Sequence, residues 1–243
     1  MADKMNKLTN ELIEKLKQIF AERLISVILY GSCAVDDCDN TFSDINVMVV
    51  IDKLTARDLK ESASAIKNWQ KTKHPLPIFM DKEEWFNSCD IYPIEYSDIK
   101  DRHRILYGED IVNPLIIDYS HLRLQCEHEI KNLLIRLRQT YLGKNNDKKA
   151  VENLIKTSSK TFVALFRAVL KLKNSSVPAK HPDVITKISE IAEIEKDLFH
   201  KILSFRTNQK ALQKGEFDAT IQKLIDTTDY LLKYVDKLDN KEK

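Results

Sequence analysis

The feature that most constrains this chain is a change of hydrophobic period near residue 118. Before it, short β-branched apolar runs alternate with amphipathic helical stretches. After it, every apolar stripe has helical spacing. A strand pattern does not persist as a helix or the reverse, so the change predicts two domains, 1–117 and 118–243. The expected fold class is α/β (α+β): a mixed sheet with a helical cover, followed by an all-α helical bundle.

In the first part, Leu8, Leu12, Leu16, Ile19, Phe20 and Leu24 predict an opening helix. Ser26–Tyr30 and Val47–Ile51 read as strands. Thr55 reads as an N-cap with Asp58 three residues on, opening a helix that runs to about Thr72, where His74-Pro75 breaks it. Leu76–Met80 reads as a strand, and Asp81 as the cap of a short helix, with Glu84 at the capping-box position. Ile91–Tyr96 reads as a further strand, and Gly108 as a turn. In the second part, stripes beginning at Leu122, Leu154, Val184, Leu198 and Leu224 predict five helices, the first ended by Gly143 and the third opened by Pro182.

Composition narrows the function classes. Lys and Arg number 39 against 37 Asp and Glu, which argues against a dedicated nucleic-acid or membrane binder. No apolar run approaches the length of a membrane span, and the N-terminus lacks signal-peptide character. The expectation is a cytoplasmic protein with four reduced cysteines. Cys33 and Cys38 have no second ligand pair at zinc spacing.

The chemistry concentrates in "LYGSCAVDDCDNTFSDINVMVV", residues 29–50. Gly31-Ser32 follows the first strand, where a glycine lets the backbone approach a phosphate and the hydroxyl and N–H groups can donate to it. If Ile45, Val47 and Val49 face the core, Asp44, Asn46 and Met48 share the other face, with Asp44 and Asn46 about 6.5 Å apart. Two oxygen ligands at that spacing suit a hard cation such as Mg²⁺. Glu95, alone among apolar neighbours on its predicted strand, is the best third acid, with Asp90 and Asp98 weaker candidates. Asp36, Asp37 and Asp39 read as a solvated loop, and His103 as a surface histidine in a charged helix. Arg123, Lys131, Arg136 and Arg138 offer either a phosphate-attracting wall or a solvated helix face. No convincing Arg-x₄₋₆-His pattern of a helical endoribonuclease is present.

Gly31-Ser32, the spacer, and Ser43-Asp44-Ile45-Asn46 before "VMVV" resemble the DNA polymerase β-type nucleotidyltransferase superfamily. The layout is most similar to small bacterial nucleotidyltransferases of the kanamycin nucleotidyltransferase type, with a C-terminal helical domain. The resemblance spans roughly residues 10–110. It implies that Gly31 and Ser32 hold a triphosphate and Asp44 binds Mg²⁺. It also implies that Glu95 is the third acid, a general base in some members. The expected substrate is a nucleoside triphosphate, with ATP foremost, and the acceptor a hydroxyl on a small molecule or macromolecule. A homodimer is compatible with the sequence. Asn46 departs from the family pattern, where a second acid stands. An amide brings no charge, and at about 4 Å a missing charge weakens attraction to a divalent ion by several kcal/mol. The competing expectation is therefore a catalytically impaired relative: a nucleotide-binding or protein-interaction module, including an antitoxin-like one.

Overall fold

The computed structural model describes residues 2–35, 44–144, 147–206 and 216–238. The chain divides into two compact units, Met1–Ile117 and Asp118–Lys243.

In the first unit, α1 (Ala2–Phe20) leads into β1 (Leu24–Tyr30). β2 (Asn46–Ile51), α2 (Ala56–Ser62), β3 (Ile78–Asp81), α3 (Lys82–Asn87), α4 (Pro93–Asp101) and β4 (His103–Gly108) follow. The sheet order is β3-β2-β1-β4. β1 is antiparallel to both β2 and β4, whereas β2 and β3 are parallel. β1 and β2 are therefore central, and both are buried on two faces, as their near-continuous apolar sequences require. Leu12, Leu16, Phe20, Val27, Leu29, Val47, Val49 and Trp69 form the layer beneath α1. Ile28, Met48, Val50, Trp85, Tyr96 and Ile99 form the opposite layer with α3 and α4.

Two caps match the sequence expectation. Thr55 and Asp58 make a reciprocal capping box on α2, and the Asp81 carboxylate accepts from Glu84 N–H at 2.8 Å to open α3. α2 is shorter than expected, ending at Ser62. The chain then tightens into a 3-10 turn, Trp69–Lys71, that buries Trp69 and lets its indole N–H reach Pro75 O at 2.6 Å.

The strand expected at Ile91–Tyr96 is overturned. Ile91 and Tyr92 are exposed, and Pro93 opens α4, where its fixed φ and missing N–H suit a first turn. The fourth strand is instead β4. The expectation of a helix around His103 is corrected with it: alternating charges hid a half-buried edge strand whose Arg104 points to solvent. Gly108 closes β4 at φ +82, with no room for a Cβ, which would lie 2.0 Å from Ile25 O.

The second unit holds α5 (Tyr119–Lys144), α6 (Lys148–Leu172), α7 (His181–Ala192), α8 (Lys196–Arg206) and α9 (Phe217–Asp236). Pro182 sits in the first turn of α7, as expected. Gly143 does not cap α5, which continues through it to Lys144. The core of this unit includes Phe162, Phe166 and Phe199, with ring centroids 4.9 to 5.8 Å apart. The fold is thus a four-stranded mixed sheet with helices, followed by an all-α region. Among the described residues, no helix is long and apolar enough to cross a membrane.

Candidate active site

The site grows from the C-terminal end of β1. Tyr30 pairs with Asn46 on one side and His103 on the other, so three side chains lie in a row across three strands. Burial pushes the Tyr30 phenol above its ordinary pKa, so it stays a neutral hydroxyl. The chain then turns at Gly31, at φ 83 and ψ −155, a region essentially reserved for glycine. Ser32–Ala34 follows as one 3-10 turn.

Gly31 is tied down on both sides. Its N–H donates to Arg102 O at 2.9 Å, extending the β1–β4 ladder by one bond. Across β2, a Cβ on Gly31 would lie 3.3 Å from Asn46 Nδ2. The Gly31 N–H is therefore committed, and the Ala34 and Val35 N–H groups return to Gly31 O and Ser32 O at 3.1 and 3.3 Å, so the donors the turn offers an anion are the Ser32 hydroxyl and N–H. Asn46 lies directly against the turn.

Asp44 precedes β2 and is partly buried. Ile45 N–H donates to His74 Nδ1 at 3.4 Å, which anchors this approach to the strand. Cys33 Sγ lies 3.5 Å from Asp44 O, so the 3-10 turn and Asp44 are neighbours. Cys33 is disulfide-bonded, so that approach is a contact without a donated proton. It also corrects the expectation of four reduced cysteines, since free thiols are described only at Cys89 and Cys126. The expectation had rested on compartment and not on geometry. The alternation argument for β2 holds: Val47 and Val49 pack beneath α1, and Met48 and Val50 pack beneath α4.

Glu95 is on a helix and not on a strand. It is exposed on the first turn of α4, and Arg102, the residue that meets Gly31, follows the end of that helix. Seven residues of helical rise separate them, about 10 Å. The strand argument that paired Glu95 with Asp44 therefore has no strand to rest on. Asp98 instead forms an ion pair with Arg102. Among the described residues, no three His, Cys, Asp or Glu side chains gather into a metal-holding group. Asp36, Asp37, Asp39 and Ser43 lie outside the described residues.

Among the described residues beside the turn, Asp44 and Asn46 offer one carboxylate and one amide oxygen. That set suits Mg²⁺ arriving on a triphosphate, because Mg²⁺ typically takes one or two carboxylates and completes its shell with phosphate and water. It is thin for two metals.

Arg102 was not singled out from the sequence. Two signals were present: Pro93 at a helix start, and Asp98 and Arg102 at i,i+4 spacing. Of the basic residues on α5 read as either a phosphate-attracting wall or a solvated face, Arg123 pairs with Glu127, and Arg138 lies 3.4 Å from Asp229 on α9.

Comparison with known proteins adds the fold. No family model matches the chain, and no curated protein does. Among solved structures, the spectinomycin adenyltransferase AAD(9) from Enterococcus faecialis, crystallised with ATP and spectinomycin, superposes with a TM-score of 0.58. The match covers 92% of this chain and 98% of that one, at 15% sequence identity. At that identity the likeness concerns architecture, and it extends over both units: this chain has the fold of a nucleotidyltransferase with a helical C-terminal region.

Proposed function

We propose that this protein binds a nucleoside triphosphate on the Gly31-Ser32 turn and transfers its nucleoside monophosphate to a hydroxyl of a small-molecule acceptor. The observation that carries the reading is Gly31: a glycine-only conformation at a strand end, flanked by Asn46 and adjoining Asp44. Its setting in a fold shared with an ATP-bound adenyltransferase supports ATP as the triphosphate and a small molecule as the acceptor.

In this reading the Ser32 hydroxyl donates to the phosphate chain. Asp44, with the Asn46 amide oxygen beside it, would hold a single Mg²⁺, which supplies charge neutralisation at the phosphates. The acceptor oxygen forms a bond to the α-phosphorus, the bond to the bridging oxygen breaks, and pyrophosphate and a proton are released. Tyr30, neutral and partly buried in the same row as Asn46, helps wall the site.

The test is calorimetric binding of Mg·ATP to wild type and Asp44→Ala. A wild type that binds no nucleotide, or a variant that binds it equally well, would sink the reading. Two observations favour a second reading, a binding module with weak or lost transfer: Asn46 carries no charge, and Glu95 stands on α4. Labelled-ATP turnover separates the two. Turnover by Asn46→Asp alone supports the module, and turnover by wild type excludes it.

A further inference from the structure

The peptide group that joins Asp44 to Ile45 lies before the first paired residue of β2, Asn46. Both of its polar ends are nonetheless met by side chains. Its carbonyl, Asp44 O, lies 3.5 Å from Cys33 Sγ of the 3-10 turn. Its N–H, on Ile45, donates to His74 Nδ1 at 3.4 Å. The imidazole comes from the segment between α2 and β3, 29 positions away.

His74 is itself fixed. Its N–H donates to Thr72 Oγ1 at 3.2 Å, and that hydroxyl donates to Trp69 O at 2.7 Å. On the other side, the Trp69 indole N–H holds Pro75 O at 2.6 Å. Trp69 is 1% exposed in the layer beneath α1, so a core residue braces the backbone before and after His74. An imidazole nitrogen that accepts carries no proton, so the neutral ring is protonated at Nε2. The peptide group that Nδ1 holds is planar, and Asp44 Cα is one corner of it. A tilt of that plane moves the Asp44 Cβ and the carboxylate with it.

We propose that His74 is a positioning residue for Asp44: by accepting the Ile45 N–H, Nδ1 fixes the peptide plane on which the placing of the Asp44 carboxylate depends. This rests on the reading above, in which Asp44 holds the Mg²⁺ that arrives with ATP, and it names the side chain that keeps Asp44 in place. Mg²⁺ demands near-ideal octahedral geometry, so a carboxylate already held binds it better than one that must be ordered on binding. Groups that orient a metal ligand from behind commonly decide its affinity.

The test separates the acceptor from the ring. His74→Asn keeps an acceptor oxygen at the Nδ1 position without the ring, and His74→Phe keeps a ring without the acceptor. Each is titrated by calorimetry with ATP in Mg²⁺ and with ATP in EDTA, alongside thermal melts and hydrogen exchange of the Ile45 amide. His74→Phe is expected to lose about threefold to tenfold in Mg·ATP affinity, with metal-free ATP unchanged and Ile45 exchange accelerated. His74→Asn restores both toward wild type. An equal loss for ATP with and without Mg²⁺ marks a merely structural role and overturns the proposal. So does a His74→Phe protein that keeps the whole gain from Mg²⁺, or a His74→Asn protein that loses as much as His74→Phe. Should His74→Phe fail to fold, His74→Ala serves as the acceptor-free variant. If Mg²⁺ adds nothing to wild-type ATP affinity, or Asp44→Ala keeps the gain, the metal reading of Asp44 itself fails. If Asp44→Ala loses the gain and the folded acceptor-free variant keeps it, only the assignment of His74 fails.

Discussion

Two Arg–Asp pairs among the described residues of the first unit are built in opposite senses. In Arg23–Asp58 the acid is interior and the arginine reaches outward, with side-chain exposures of 43% for Arg23 and 6% for Asp58. Asp58 spends both oxygens: Oδ1 on Arg23 at 2.7 Å, and Oδ2 on the Thr55 N–H and hydroxyl at 2.9 and 2.7 Å. In Arg102–Asp98 the arginine is interior at 9% and the acid is at 28%. The first pair closes on itself and caps a helix. The second leaves one buried guanidinium nitrogen without an acceptor. A saturated pair leaves no polar group unmade, whereas an unsaturated one keeps an unmet desolvation cost in the interior.

Four substitutions or conditions would break or sharpen this contrast. The largest effect belongs to Gly31→Ala, which forces a side chain into a glycine-only backbone region and against Asn46. It should cost about 1–3 kcal/mol of stability and weaken ATP binding at the same site. Denaturant midpoints with calorimetry check it, and an unchanged midpoint would show that the turn carries no strain. Thr55→Ala removes a hydroxyl that serves Asp58 twice and should cost about 1 kcal/mol. ATP affinity should not change, which marks that corner as structural.

The third is a pH effect. The Arg23 guanidinium, then the Thr55 hydroxyl and N–H, hold the Asp58 carboxyl down at about 2. In the unfolded chain the group titrates near 4. Its stabilisation is therefore whole above about pH 4 and is lost as pH falls toward 2. Melting temperature should drop through that window more steeply for wild type than for Asp58→Asn, and equal slopes would remove Asp58 from the account. The smallest effect on stability is Asn46→Asp, within about 0.5 kcal/mol. Its signature lies in binding: tighter Mg·ATP and weaker metal-free ATP, read by titrating Mg²⁺ at fixed ATP.

The sequence showed those parts that rest on local rules. The β1 and β2 strands, the Thr55 and Asp81 caps, and Pro182 in the first turn of α7 are each set by a few neighbouring residues. The region 91–108 was misread because two signals competed. Ile91, Ile94 and Tyr96 look like a strand face, yet Pro93 suits a helix start, and tertiary burial of Ile94, Tyr96 and Ile99 settles the matter. The error moved Glu95 off the sheet and hid Arg102, whose importance depends on a backbone bond to Gly31, 71 positions away. No local pattern encodes that pairing. The roles of Gly31, Ser32, Asp44 and Asn46 stay with the binding experiments.

The chain has two tryptophans, one in each apolar layer of the sheet. Trp85 stacks on Tyr96 of α4 with ring centroids 4.6 Å apart, and Trp69 sits on the far side beneath α1. Since Gly31 is hydrogen-bonded to the end of α4, a ligand seated on the turn perturbs the helix that carries the stacking partner of Trp85. Intrinsic fluorescence in a Trp69→Phe background is thus a label-free optical readout of the turn, and Trp85→Phe provides the silent reference from the opposite layer.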